Sequence, residues 1–270
     1  MAILDINNLN LTFHNKKKST QILKDISFRV EEGECLCILG ESGSGKSITM
    51  KSIMGLLDRN FEISGTAMFG DIDLLSVNKE TLRKTRGKTM TMILQNPMVC
   101  FDSLYRVGVQ IKETFQEHTS WSNAEIYNQS VNILNKMQIR HPEEVLKKYP
   151  HQLSGGMLQR IMIGIALALN PKILIADEPT TAIDSITQFE IMKEFIRLKE
   201  QKVTMIFITH DLGIASLIAD RVLVMNKGCI VDQGSFVEIK ENPTNNYTKQ
   251  LVAKKMAVMA SFKSIMGGVQ

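Results

Sequence analysis

Along the chain, short runs that are apolar throughout alternate with longer stretches whose apolar positions recur at helical spacing. Cys35 to Leu39, Lys172 to Ala176 and Val203 to Ile208 are almost continuously apolar, the pattern of parallel strands covered on both faces. Ile3 to Phe13 and Gln21 to Val30 instead alternate apolar with polar residues. They predict an antiparallel hairpin, with Lys16, Lys17 and Lys18 on a solvated loop between Asn15 and Thr20. From Gln95 to Leu153 the strand pattern fades. Val107 to Glu117 and Ala124 to Met137 have helical periodicity, punctuated by Pro97, Pro142 and Pro150, which predicts a helical subdomain inserted into an α/β body. A hairpin is expected around Asn226-Lys227-Gly228, followed by helices into a Met-rich tail. Strands alternating with helices imply a mostly parallel core sheet with crossover helices, here preceded by an antiparallel β part.

Composition narrows the class without naming it. The chain has 270 residues, 44% hydrophobic and 22% charged, inside the globular range and outside that of disordered, collagenous or coiled-coil chains. A chain of this length buries roughly three quarters of its unfolded surface, enough for a core without disulfides. Lys plus Arg is 32 against 28 Asp plus Glu, a net charge of +4; that is too weak to argue for nucleic acid or a membrane surface. The four cysteines, Cys35, Cys37, Cys100 and Cys229, lack the spacing of a metal site, and the pair at 35 and 37 is expected to be buried thiols. The N-terminal residues do not read as a signal peptide. The longest apolar run, Ile161 to Leu169, is far short of the ~18 residues of a spanning helix. The expectation is a cytosolic protein that serves any membrane from outside the bilayer.

The chemistry begins after the strand ending at Leu39. Gly40-Glu41-Ser42-Gly43-Ser44-Gly45-Lys46-Ser47 is a G-x-x-x-x-G-K-S phosphate-binding loop in strand–loop–helix context. Such a loop turns backbone N–H groups inward, and a Cβ at Gly43 or Gly45 would obstruct the curl. The following helix dipole faces the anion. Lys46 supplies a cation for the β- and γ-phosphates, and the Ser47 hydroxyl can ligate Mg2+. Guanine specificity would need an N-K-x-D element, and Asn226-Lys227 is followed by Gly228 and Cys229, so a GTPase is not expected. The strand at 172–176 exits into Asp177-Glu178-Pro179. Adjacent carboxylates there are costly unless a cation or water stands before them, which suits Asp177 to the Mg2+ shell and Glu178 to the attacking water. Upstream, Leu153-Ser154-Gly155-Gly156-Met157-Leu158-Gln159-Arg160 places an N-cap serine and two glycines at a helix start.

Taken together, these motifs resemble those of ATP-binding cassette (ABC) ATPases, over the whole chain from about Ile3 and in the family's order. The resemblance implies a P-loop ABC ATPase fold and further roles. Phe13 matches the aromatic residue that stacks on adenine, with a strand-core Phe as the alternative. Gln95, in Leu94-Gln95-Asn96-Pro97-Met98, matches the glutamine that senses Mg2+ and water and couples to the membrane subunit. Asp184, in Thr181-Ala182-Ile183-Asp184, matches the D-loop, with Ile183 where leucine is usual. His210, in Thr209-His210-Asp211, matches the histidine that contacts the γ-phosphate. The family works as head-to-tail pairs in which Ser154 and Gly156 of one subunit complete the ATP site of the other; one motif set per chain implies a second ATPase subunit, a paralogue or itself. Two membrane permeases are implied as partners, a solute-binding protein indirectly, and no nucleic acid, with the protein peripheral on the cytoplasmic face of the membrane. Segments follow the motifs: 1–94 and 154–234 as the ATP-binding core, 95–153 as Q-loop and helical subdomain, 235–270 as a C-terminal helical tail.

Finer features resemble the peptide and nickel uptake branch. Leu158 stands where oligopeptide relatives usually carry arginine, and the chain lacks their Cys-rich extension, both favouring the nickel type. Asn242-Pro243 and Tyr247-Thr248 echo the branch's terminal motif, while Asn245 and Asn246 depart from its His-Pro. The expected function is therefore ATP hydrolysis driving import of nickel or a metal chelate. A peptide importer is the alternative, and a soluble ABC ATPase acting on nucleic acid or the ribosome is the alternative of another class.

Overall fold

A computed structural model describes residues 2–15, 18–181 and 183–254. The chain opens with β1 (Ala2–Asn15), β2 (Lys18–Glu31), β3 (Cys35–Leu39), α1 (Lys46–Ile53), β4 (Phe61–Phe69), β5 (Ile72–Asp73) and α2 (Lys79–Thr85). Next come β6 (Met90–Ile93), α3 (Val107–His118), α4 (Asn123–Lys136), α5 (Pro142–Val145), α6 (Gly155–Ala168), β7 (Ile173–Asp177) and α7 (Ser185–Glu200). It continues through β8 (Thr204–Ile208), α8 (Leu212–Ile218), β9 (Arg221–Asn226), β10 (Cys229–Ser235) and α9 (Phe236–Glu241). Residues 246–254 are helical. Two compact units form: one from the chain up to Leu82 with the chain from Thr204 onward, the other from Arg83–Val203. These units are bounded by packing, whereas segments drawn at 94, 153 and 234 follow the motifs.

The first unit holds two sheets. In the antiparallel one the strand order is β2-β1-β4-β5. The expected hairpin is present and longer than its alternation suggests, pairing Asn15 with Lys18; Lys16 and Lys17 lie outside the described residues. In the other sheet β3 runs parallel to both β8 and β9, and β9 returns antiparallel in β10. Every residue of β3 and β8 is buried, which is why these runs are apolar at successive positions instead of alternating. Cys37 and Leu39 of β3, Val222 and Val224 of β9, and Leu212 and Ala215 of α8 form one core cluster with Leu251 and Val252 of the C-terminal helical stretch. A fully buried Val or Leu contributes about 1.5–3 kcal/mol, so that stretch is docked. The thiols of Cys35 and Cys37 are buried. Burial, and then the neighbouring Cys35, pushes the Cys37 thiol well above its ordinary value.

The second unit pairs β6 with β7 in parallel and packs helices around them. Ser122 caps α4 reciprocally with Glu125, and Phe115 sits 5.1 Å from Trp121. Gly164 lets α6 approach α4 closely, since a Cβ there would stand 2.5 Å from Ile133 Cγ2. Arg160 Nη1 donates to the carbonyls of Met137 and Gln138 at 3.2 and 3.0 Å, closing the C-terminal end of α4. Among the described residues, no helix is long and apolar enough to cross a membrane.

Two strands carry no clear periodic signal. In β4 only Ala67 is buried, and the strand contains Gly65, where a Cβ would stand 2.7 Å from the Asn7 carbonyl. β6 has only four residues, and its pairing is set by β7. Helices α3 and α4 fall where their spacing predicts. The Met-rich tail beyond Lys254 lies outside the described residues.

The Asn226-Lys227-Gly228 hairpin does more than turn the chain. Gly228 has φ +77°, and a Cβ on it would stand 1.9 Å from the Ile22 carbonyl oxygen. Gly228→Ala is expected to lower unfolding free energy by at least about 2 kcal/mol, combining left-handed strain with displaced backbone. Urea denaturation followed by circular dichroism checks this, and a loss below about 0.5 kcal/mol would contradict the close approach.

Candidate functional site

The loop after β3 is built by backbone, as its composition requires. Gly43 and Gly45 have φ of +79° and +109°, and no heavy atom lies within 4 Å of an ideal Cβ at Gly43. Gly45 is the N-cap of α1, without a side-chain hydrogen bond, so the helix start presents backbone N–H groups. Gly40 packs so closely under β9 that a Cβ would stand 2.3 Å from the Met225 carbonyl oxygen. Lys46 is buried, and its Nζ donates to the Gly40 and Glu41 carbonyls at 2.8 and 2.9 Å. Ser42 sits exposed at the turn and Ser47 is half-buried in the first turn of α1. Ser44 Oγ is buried with no hydrogen-bond partner among the described residues. An open cradle at Gly43, an orphaned hydroxyl and an uncapped helix start suit a polyphosphate.

Strand register places His210. Because Ile38 of β3 pairs with Ile208 of β8 in parallel, Gly40 and His210 both lie two residues beyond paired positions, at the same end of adjacent strands. His210 is exposed. Its neighbours hold its backbone: Thr209 N donates to the Ile38 carbonyl, Asp211 N to Thr209 Oγ1 at 3.0 Å, and Asp211 caps α8 through Gly213 N. Phe13, on β1, is half-buried and lies opposite Phe61 with ring centroids 5.0 Å apart.

In the second unit the same rule brings two distant residues together. Ile93 of β6 pairs with Ala176 of β7, so Gln95 and Glu178 again stand two positions beyond paired residues. Gln95 Nε2 donates to Glu178 Oε2 at 2.9 Å, and Thr181 Oγ1 donates to the same oxygen at 3.1 Å. Glu178 has φ +44°, a left-handed conformation uncommon for a residue with a Cβ and concentrated at functional positions. Asp177, the last residue of β7, is buried.

Both remaining motifs are helix starts. Ser154 caps α6, its Oγ accepting from Met157 N at 3.2 Å. It is exposed with Gly155, where a Cβ would meet nothing, and Gly156 is half-buried. Asp184 caps α7, accepting from Thr187 N at 3.0 Å. The Thr187 backbone N–H, and then its side chain, holds the Asp184 carboxyl below its ordinary value. Ala182 of the D-loop lies outside the described residues.

Comparison with known proteins gives the family and the fold. The family model described as "ABC transporter" matches residues 23–181. The chain is 41% identical to the metal-staphylopine import system ATP-binding protein of Staphylococcus aureus, over 99% of this chain and 98% of that one. It is 39% identical to a dipeptide transport ATP-binding protein of Haemophilus influenzae, covering 100% of this chain and 82% of that one. Its fold is that of the ABC cassettes. A dimeric ATP-binding cassette solved in a post-hydrolysis state with ADP and Pi superposes with a TM-score of 0.77 at 26% identity, covering 86% of this chain and 98% of that one.

Sequence reasoning did not single out Gln159. It is fully buried, and its Nε2 donates to the Pro179 carbonyl at 2.9 Å and reaches the Leu94 carbonyl at 3.4 Å. One side chain thus braces the residue before Gln95 and the residue after Glu178. The signal was available: a glutamine facing inward on an otherwise apolar helix needs buried partners. Gln159→Leu leaves buried carbonyls without a donor and is expected to cost about 1–3 kcal/mol. Chemical denaturation measures it, and a neutral substitution would contradict the brace.

Proposed function

The chain belongs to the ABC transporter ATP-binding family, and on that premise we propose that it is the ATP-hydrolysing, energy-coupling subunit of an importer for nickel or a related metal or metal chelate. The observation that carries the hydrolytic reading is the 2.9 Å hydrogen bond from Gln95 to Glu178 in a chain that also builds a phosphate-binding loop. The N–H groups of 43–47 and Lys46 bind the phosphates, Ser42 and Ser44 line the loop, and Phe13 takes the adenine. Glu178 accepts a proton from the water that attacks the γ-phosphorus, Gln95 holds that carboxylate in place, and His210 contacts the γ-phosphate as ADP leaves. Ser47, Asp177 and Gln95 offer hard oxygen donors, the kind Mg2+ takes. Ser47 would hold the ion and the other two would order its shell, where it neutralises phosphate charge.

Ser154, Gly156 and Asp184 act on nucleotide bound by a second ATPase subunit, this chain or a paralogue. The exposed start of α6 and the dimeric cassette with ADP and Pi support that reading. Docking to two membrane permeases, on the cytoplasmic face, draws support from Val99 and Leu104, which are 72% and 78% exposed shortly after Gln95. Apolar groups clustered in the open mark a contact surface. The metal-chelate reading leans on the metal-staphylopine relative; the dipeptide relative favours a second reading, a peptide importer, with the same ATPase chemistry.

Lys46→Ala is expected to abolish measurable ATP binding, and normal turnover by it would remove the phosphate-loop assignment. Glu178→Gln should lower kcat at least about 100-fold while ATP still binds, and size-exclusion chromatography should show an ATP-dependent complex with itself or a paralogue. Absence of any such complex would end the two-subunit mechanism. Deleting the gene decides cargo: growth loss on limiting nickel or metal chelate supports the first reading, and loss only on limiting dipeptide supports the second.

A further inference from the structure

The phosphate-binding loop receives a hydrogen bond from far along the chain. Glu41 N–H donates to the hydroxyl of Tyr247 at 3.0 Å. That N–H belongs to the Gly40–Glu41 peptide, whose carbonyl accepts from Lys46 Nζ at 2.8 Å. A peptide unit is planar, so rotating it would break both bonds together. Gly40 is the residue least able to resist such a rotation, since it lacks a Cβ and has φ +151°. We propose that Tyr247 is a positioning residue for the nucleotide: its hydroxyl fixes the Gly40–Glu41 peptide and thereby the loop and lysine that receive the phosphates.

Tyr247 is itself held from two sides. Its ring packs against the core cluster containing Leu39, Leu251 and Val252. Its backbone N–H donates to Asn245 Oδ1 at 2.8 Å. The turn preceding it is anchored on Asp232 of β10, whose carboxylate accepts from Thr244 N and Oγ1, both at 3.0 Å, and from Asn245 N at 3.1 Å. Burial pushes the Asp232 carboxyl up, but the Asn245 and Thr244 donors outweigh it and hold the group below its ordinary value. Burial likewise raises the Tyr247 hydroxyl above its ordinary value, so it stays protonated at neutral pH. The Lys254–Glu41 ion pair at 3.7 Å is exposed and adds little. The chain of contacts runs from β10 through the 244–245 turn and Tyr247 into the loop. Asn245, which departs from the branch's usual His-Pro, supplies one link.

This rests on the ATP-binding reading above, and the test separates the two. Full-length wild type, Tyr247→Phe, Tyr247→Ala and Lys46→Ala are titrated with Mg-ADP by calorimetry, with thermal unfolding measured alongside. Tyr247→Phe keeps the ring and loses only the hydroxyl. Its Kd is expected to rise about fivefold, the equivalent of one net hydrogen bond of about 1 kcal/mol, with Tm within about 2 °C of wild type. In ATP turnover KM should rise by the same factor while kcat stays within about twofold. Tyr247→Ala should weaken binding similarly and also lower Tm. Wild-type affinity in Tyr247→Phe, or weakened affinity that appears only with a larger fall in Tm, reduces Tyr247 to packing and overturns the proposal. Wild-type binding by Lys46→Ala would instead overturn the ATP-binding reading itself.

Discussion

A loop that grips a polyanion with its own N–H groups cannot use those groups to hold its own shape. Backbone donors turned toward a ligand are lost to the loop's internal hydrogen bonding, and glycines that permit the curl also loosen it. One N–H stays inside the loop, Ser44 N donating to the Glu41 carbonyl at 3.2 Å; the rest of the shape comes from a side chain and from neighbouring segments. Gly228 N donates to the Ser44 carbonyl, Tyr247 accepts from Glu41 N–H, and Lys46 spans the Gly40 and Glu41 carbonyls. The β9–β10 hairpin and the C-terminal helical stretch are thereby parts of the site, although neither carries a nucleotide motif.

Parallel register is the second constraint, and it acts once in each unit. Strands that run side by side in the same direction end together, so residues equally far past their paired ends meet whatever their separation in sequence. That is why Gln95 reaches Glu178 across 83 positions, and why His210 emerges at the same edge as Gly40. Gln159 strengthens the arrangement in the second unit by donating to backbone just outside both strand ends. The left-handed backbone at Glu178 is tolerated in that braced setting.

Two helix starts, at Ser154 and Asp184, are capped by their own side chains and leave the neighbouring surface exposed. Both open long helices, of 14 and 16 residues. Relatives of similar identity are named for metal-staphylopine and for dipeptide.

What the sequence determined by itself was the class, together with the motifs on which a chemistry can be proposed. The G-x-x-x-x-G-K-S loop, the Asp177-Glu178 pair at a buried strand exit and the serine before α6 are local, and their meaning follows from what phosphate, metal and helix ends require. The three fully buried strands were legible because covering both faces leaves few polar positions, here only at their ends. β4 and β6 were not, since one has a single buried residue, the other is four residues long, and each takes its register from a neighbour. Tertiary structure alone decided that Gln95 bonds Glu178, that Gln159 bonds backbone near both, that Gly228 must lack a side chain because Ile22 lies against it, and that Tyr247 ends on the phosphate loop. Each of these is a contact between residues far apart along the chain, and no local pattern encodes a distance that only folding closes.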